Sequence, residues 1–250
     1  MPELPEVETV CEVLRNKIVN KTIISVNVLY DKIIKTDIQD FKTYMINQKV
    51  NEIKRHGKYL LIYLDEYCLI SHLRMEGKYF YRKENFPLEK HTHVIFGFSD
   101  KTELRYNDVR KFGTMHLKKK VLAYIGEPLE KLGPEPFDES FTLEYMLDRL
   151  SNRRPIKASL LDQNIIAGLG NIYVNEILFL SRIHPETISA KLRVQEISKL
   201  MTTTVQVLKR AISLGGTTIH SFYSDDGITG RFQNELFVHE RLGRPCKVCG

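Results

Sequence analysis

Apolar and polar positions change rhythm along this 250-residue chain, and the changes divide it. Near the start, Val7, Val10, Cys11, Leu14 and Ile18 recur at three- and four-residue intervals. That spacing puts them on one stripe of an amphipathic helix, which buries the stripe and holds the preceding arm against the protein body. From residue 22 to about 117 short β-type runs take over, at 23–30, 59–64, 67–73, 93–98 and 114–117, punctuated by Gly57, Gly77 and Ser99-Asp100. Strands so spaced predict an antiparallel sandwich. Pro128, Gly133, Pro134 and Pro136 then break the pattern, as an interdomain linker does. Helical periodicity follows over 141–150, around 158–161, over 172–180 and from about 193 to 214, where Gly215-Gly216 supplies a C-cap. Residues 217–231 are polar and read as a loop. The prediction is an α+β chain: residues 1–120 a sandwich with its flanking helix, 121–139 a linker, 140–230 a helical domain, 231–250 a terminal segment.

Composition narrows the partner. Lys and Arg number 37 against 31 Asp and Glu, a net charge of +6 with a pI near 9.0. The surplus favours a polyanion, although a basic protein with no nucleic-acid role shows the same balance. No stretch approaches the roughly 18 apolar residues of a membrane span, and no secretory signal opens the chain. A soluble, cytoplasmic protein with no membrane partner is expected. Cys11 and Cys68 stand alone and Cys246 pairs with Cys249, which is no disulfide framework and suits a reducing compartment.

Candidate chemistry begins at Pro2. Trimming of Met1 leaves a free secondary α-amine, titrating near ~7.7–8.0 where a lysine titrates near ~10.4. Such an amine attacking a sugar aldehyde carbon gives an iminium, an electron sink that labilises neighbouring bonds. Glu3 and Glu6 beside it raise its pKa, the wrong direction for a nucleophile, and make sense if one of them relays protons. Glu8 and Glu12 need no such role, because acids in the first turns complement a helix dipole.

Lys58 follows a glycine just before an apolar run, where its ammonium can swing towards a phosphate; a solvated strand-edge lysine looks the same. Met75 in Leu73-Arg74-Met75-Glu76-Gly77-Lys78 and Phe112 in Asp108-Val109-Arg110-Lys111-Phe112-Gly113 are core residues by type, yet both sit in polar company in turns. Gly168-Leu169-Gly170-Asn171 ends in a helix start with free backbone N–H groups, which suits a phosphate or, more simply, an Asn N-cap. His91 and His93 share a strand face; with no third ligand in view, a phosphate contact from His91 fits better than a metal site. Cys246-Lys247-Val248-Cys249 is half of a zinc ribbon.

Met-Pro-Glu-Leu-Pro-Glu-Val-Glu-Thr-Val at residues 1–10, with these segments following in this order, resembles the formamidopyrimidine-DNA glycosylases, bacterial base-excision repair enzymes. The resemblance implies an N-terminal β-sandwich, a helix–two-turn–helix DNA-binding domain and a zinc-ribbon hairpin. It implies a bifunctional DNA glycosylase and abasic-site lyase that excises oxidised purines (8-oxoguanine, formamidopyrimidines) from double-stranded DNA by an N-terminal proline Schiff base and β,δ-elimination. Pro2 is then the nucleophile, Glu3 transfers protons with support from Glu6, and Lys58 contacts the phosphate of the damaged nucleotide. Met75, Arg110 and Phe112 fill the void left by the extruded nucleotide. His91, Arg110, Lys157 and Asn171 contact DNA, and the 217–231 loop caps the flipped base.

The resemblance also implies a structural Zn2+, of whose ligands Cys246 and Cys249 are half. The second pair has no counterpart before Gly250, so the sequence is either partial or lacks a working zinc finger, with His239 an available third ligand. A monomer is expected. Two alternatives stand beside this reading: an endonuclease VIII-like enzyme for oxidised pyrimidines, and a non-catalytic damaged-DNA binder.

Overall fold

The computed structural model describes residues 1–217 and 230–250. They group into two compact units. The first comprises Met1–Pro2 and Glu6–Glu130, the second Glu3–Pro5, residues 131–217 and Gly230–Gly250.

Helix α1 (Leu4–Ile18) buries the stripe expected of it: Val7, Val10, Cys11, Leu14 and Ile18 are at most 1 % exposed. The first unit then builds two four-stranded antiparallel sheets. One pairs β1 (Ile23–Val28), β6 (Thr92–Phe98), β7 (Thr102–Asn107) and β5 (Lys78–Lys83) in that order. The other pairs β2 (Glu52–His56), β3 (Tyr59–Tyr63), β4 (Tyr67–His72) and β8 (Thr114–Lys119). Their inner faces share a core that includes Ile53, Leu60, Ile62, Phe96, Phe98 and Leu104. Helix α2 (Ile38–Met45), absent from the sequence-based expectation, adds Phe41 and Met45 and is capped by Asp37, which accepts from the N–H groups of Gln39 and Asp40. In the β2–β3 hairpin His56 pairs with Tyr59, which leaves Gly57 and Lys58 as a two-residue turn. Gly57 takes φ +57, the left-handed conformation a tight turn of this kind requires.

The second unit is helical. Helix α3 (Leu143–Leu150) is capped by Thr142, followed by α4 (Ile156–Leu161), α5 (Asn171–Ser181) and α6 (Val194–Ser213). Its core gathers Leu4, Met146, Leu160, Tyr173, Ile177, Leu200 and Leu208. No described helix is long and apolar enough to cross a membrane. The mixed α+β architecture agrees with the sequence pattern. One part differs: residues 231–250 contain a 3-10 turn at Phe232–Asn234 and further turns, with no strand pair where a hairpin was expected.

Candidate active site

In the first unit two loops hold candidate residues singled out by the sequence, 73–77 between β4 and β5 and 108–113 between β7 and β8. Asp108, fully buried, organises the second. Its Oδ1 accepts from the Arg110 N–H at 3.0 Å, and its Oδ2 accepts from the Gly113 N–H at 2.8 Å and the Tyr106 hydroxyl at 3.3 Å. The Asp108 carbonyl accepts from His93 Nε2 at 2.7 Å, and its N–H donates to the His91 carbonyl at 3.0 Å. A carboxylate so buried is tolerable only with its lone pairs filled. Gly77 and Gly113 close both loops on Tyr106: a Cβ on Gly113 would stand 1.7 Å from the Tyr106 hydroxyl, and one on Gly77 2.4 Å.

This scaffold brings Met75, Arg110 and Phe112 together at the surface. Arg110 Nη1 lies 2.8 Å from Met75 Sδ, and the guanidinium sits 4.8 Å from the centroid of the Phe112 ring. Met75 is 43 % exposed and Phe112 53 %, so neither is a core residue.

Beside them His72 is buried, and its Nδ1 accepts from the Arg74 N–H at 2.9 Å, with Arg74 itself at φ 53. Burial, and then the positive charges of Arg74 and Lys58, push the His72 imidazole down to about 3. Pro2, Glu6 and Lys58 all lie in this unit and are buried, while Met1 is 51 % exposed. Glu8, read as a helix-dipole acid, instead binds Arg15 at 3.1 Å and Arg55 at 2.8 Å. His91 precedes β6, half-buried at φ 69, while His93 turns inward to Asp108, so the two do not form a metal-binding pair.

In the second unit Glu3, 3 % exposed, reaches the start of α5. Its carboxylate accepts from the N–H groups of Gly170 at 2.8 Å, Ile172 at 2.9 Å and Tyr173 at 3.3 Å. A carboxylate at a helix N-terminus satisfies its orphan donors and meets the positive end of its dipole. Two expectations are corrected here. Glu3 was set apart from the helix-dipole acids and is one, for α5 rather than α1. The backbone N–H groups at this helix start, expected to be free for a phosphate, donate to Glu3 instead. Asn171 is the first residue of α5 with an exposed side chain, and Gly170 is the N-cap.

The glycines allow a close approach. A Cβ on Gly170 would lie 2.4 Å from Glu3 Cδ, and one on Gly168, at φ +97, 2.6 Å from Leu4 Cδ1. Farther along α5, Glu176 is 1 % exposed and accepts from the N–H groups of Phe237 at 2.7 Å, Val238 at 3.0 Å and His239 at 2.8 Å. Sequence reasoning passed over Glu176, Asp108 and Tyr106; an acid inside an otherwise apolar helix was the available signal for the first. Lys157 lies half-buried on the first turn of α4.

Cys246 is half-buried and Cys249 exposed. N–H groups of Val248 and Cys249 pull the Cys246 thiol below its usual range, while the neighbouring Cys246 raises that of Cys249. His239 Nδ1 faces Asn175 Nδ2 at 3.4 Å, and among the described residues no three His, Cys, Asp or Glu side chains gather as a metal site. Two thiols are half of a tetrahedral set, so the described residues do not by themselves fit a structural zinc ion.

Residues 1–115 match the formamidopyrimidine-DNA glycosylase N-terminal domain and residues 132–223 the H2TH domain of the same enzymes. Formamidopyrimidine-DNA glycosylases of Oceanobacillus iheyensis and Bacillus cereus are each 49 % identical over the whole chain, which spans 90 % and 92 % of their lengths. A Lactococcus lactis Fpg mutant solved with Fapy-dG-containing DNA superposes with a TM-score of 0.94 at 40 % identity, over 100 % of this chain and 92 % of that one. The Lactococcus lactis Fpg complex with abasic-site DNA gives 0.92 at 40 %, over 99 % and 91 %. Both halves of the chain, each carrying its own part of the geometry above, therefore point the same way: the chain belongs to the formamidopyrimidine-DNA glycosylase family of DNA-repair enzymes.

Proposed function

We propose that the chain is a bifunctional DNA glycosylase and abasic-site lyase for oxidised purines in double-stranded DNA, acting as a cytoplasmic monomer. The observation that carries this reading is the surface cluster of Met75, Arg110 and Phe112. Two apolar wedges joined by a guanidinium suit the hole left by an extruded nucleotide, with the arginine donating to the edge of the widowed base.

Pro2, freed of Met1, attacks C1′ of the damaged nucleotide. The glycosidic C–N bond breaks, and the base leaves with its electron pair and takes up a proton. The sugar ring opens as the proline nitrogen forms an iminium, with a proton delivered to the ring oxygen. Glu3, next to Pro2 in the chain and bonded to three N–H donors, is the group to which this reading gives the relay of that proton. Loss of a C2′ proton then expels the 3′ phosphate, and a second elimination expels the 5′ phosphate. Glu6 supports the N-terminus and Lys58 meets the phosphate of the damaged nucleotide. His91, Lys157 and Asn171 hold neighbouring DNA backbone. Base capping by the 217–231 loop falls largely outside the described residues. No step runs through zinc.

Borohydride trapping on a duplex with 8-oxoguanine opposite cytosine, with mass spectrometry of the N-terminus, tests this. A covalent adduct at Pro2 is expected, and Pro2→Gly is expected to keep DNA binding and lose cutting. A Pro2→Gly protein that cuts normally refutes the mechanism.

A further inference from the structure

We propose that Met75 is an oxidation site, and that its conversion to methionine sulfoxide shuts down lesion processing. The inference rests on the void-filling reading above. Of the chain's 6 methionines, Met45, Met115 and Met146 are 0 %, 0 % and 1 % exposed, whereas Met75 is 43 % exposed. Met201 is half-buried, and the exposed Met1 is the residue that must leave to free Pro2. Oxidation of methionine follows access to the sulfur, which selects Met75.

The consequence follows from its neighbours. The thioether sulfur is a weak acceptor, yet it already faces Arg110 Nη1 at 2.8 Å. A peroxide oxygen transferred to that sulfur breaks the O–O bond and releases water. The sulfur is oxidised by two electrons and the peroxide reduced, with no proton taken from the protein. The sulfoxide oxygen is a much stronger acceptor than the sulfur and stands on the same face. It therefore retains the Arg110 guanidinium, the group meant for the widowed base, and gives the wedge a polar tip. Inserting that tip between bases strips it of water without a partner for every lone pair. The oxidant class that creates the proposed substrate thus also disables the wedge that recognises it. A methionine sulfoxide reductase, using a dithiol, reverses the change.

The test treats the full chain with hydrogen peroxide and maps sulfoxide by peptide mass spectrometry. Two ratios of treated to untreated protein are then measured: cutting of an 8-oxoguanine duplex, and binding to a duplex with a tetrahydrofuran abasic analogue, which needs no chemistry. Sulfoxide is expected at Met75 ahead of Met45, Met115 and Met146, with both ratios falling about ten-fold. Dithiothreitol alone reverses sulfenic acids and disulfides of Cys246 and Cys249 and is expected to restore little. Added methionine sulfoxide reductase is expected to restore both ratios. Met75→Leu, whatever its untreated rate, is expected to keep both ratios within about two-fold, since leucine conserves volume and cannot take oxygen.

Sulfoxide at Met75 with unchanged binding overturns the proposal, as does Met75→Leu losing as much as wild type. Oxidation that spares Met75 and strikes the buried methionines also overturns it. An untreated chain that neither cuts nor traps refutes the enzymatic reading instead, and the binding ratio still decides the role of Met75.

Discussion

Asp108 shows how much one buried side chain decides. Its two oxygens receive three donors, and those bonds shape the turn that presents Arg110 and Phe112. Asp108→Asn changes only one oxygen into an amide. That amide must point its N–H at either the Arg110 or the Gly113 N–H, leaving a buried donor facing a donor. A loss of about 1–3 kcal/mol is expected in urea denaturation, with a matching drop in cutting as the loop loosens. Stability within about 0.5 kcal/mol of wild type shows that the carboxylate does not hold the loop. His72 makes a second residue-scale case. Its folded pKa of about 3 lies far below the unfolded value of roughly 6.5, so below pH ~6.5 the unfolded chain binds a proton that the folded one refuses. Its contribution is complete above that pH and drains away as pH falls towards the folded value, by roughly 1.4 kcal/mol per unit. His72→Asn keeps an acceptor for the Arg74 N–H and cannot titrate. Between pH 6 and 4 its stability should decline less steeply than that of wild type, by about one proton's worth. Parallel declines exclude His72 as a source of the acid sensitivity.

The elements differ in how plainly they were written in the chain. Helix α1, strands β1, β3, β4, β6 and β8, and helices α3 to α6 follow from apolar rhythm or from short apolar runs, because each sends several apolar side chains into a core. Strands β2, β5 and β7 do not. In β7 the period-2 signal disappears because Arg105 is buried between Leu104 and Tyr106, with Glu89, Glu103 and the carbonyls of Phe86 and Pro87 as partners. Glu89 in turn lies below the usual carboxylate range despite its burial, held there by hydrogen bonds from Arg82 and Arg105. The surface wedges were legible as apolar residues in polar turns; Asp108 was not, since its burial depends on a tyrosine and two loops. Helix α5 was legible as a helix, but the sequence offered no reason for the glycines that precede it, Gly168 and Gly170. They are clearances for Glu3 and Leu4, residues more than 160 positions away. Gly170→Ala therefore tests the element. Its Cβ must displace the Glu3 carboxylate, costing about 1–3 kcal/mol of stability. Cutting should fall further than binding to the abasic analogue if the displaced carboxylate is the proposed proton relay; equal losses assign Glu3 a structural role only. At the other end, Glu176→Gln should raise hydrogen exchange of the Phe237, Val238 and His239 amides by ten-fold or more, the cost of losing one charged acceptor. Unchanged exchange there means that the turn is held by something else.

Across the whole molecule, cations exceed anions by only six in 250 residues, too thin a surplus to hold DNA by average charge. Affinity must instead divide between localised phosphate contacts and uncharged insertion, and salt separates the two. Each phosphate neutralised by a lysine or arginine releases condensed counterions, so log K falls against log salt with a slope of about −0.9 per contact on duplex DNA. Lys58→Gln and Lys157→Gln should each flatten that slope by about one contact, with losses largest at low salt and shrinking as salt rises. Phe112→Ala removes an apolar wedge and no charge. It should weaken abasic-analogue binding by a similar factor at every salt concentration, leaving the slope untouched. Titrations of the four proteins from 50 to 300 mM salt decide the matter. Parallel lines for Phe112→Ala and flatter ones for the lysine variants support the division. A Phe112→Ala line that flattens places the aromatic on the phosphate side, through the guanidinium of Arg110 that stacks on it, and removes the insertion reading with it.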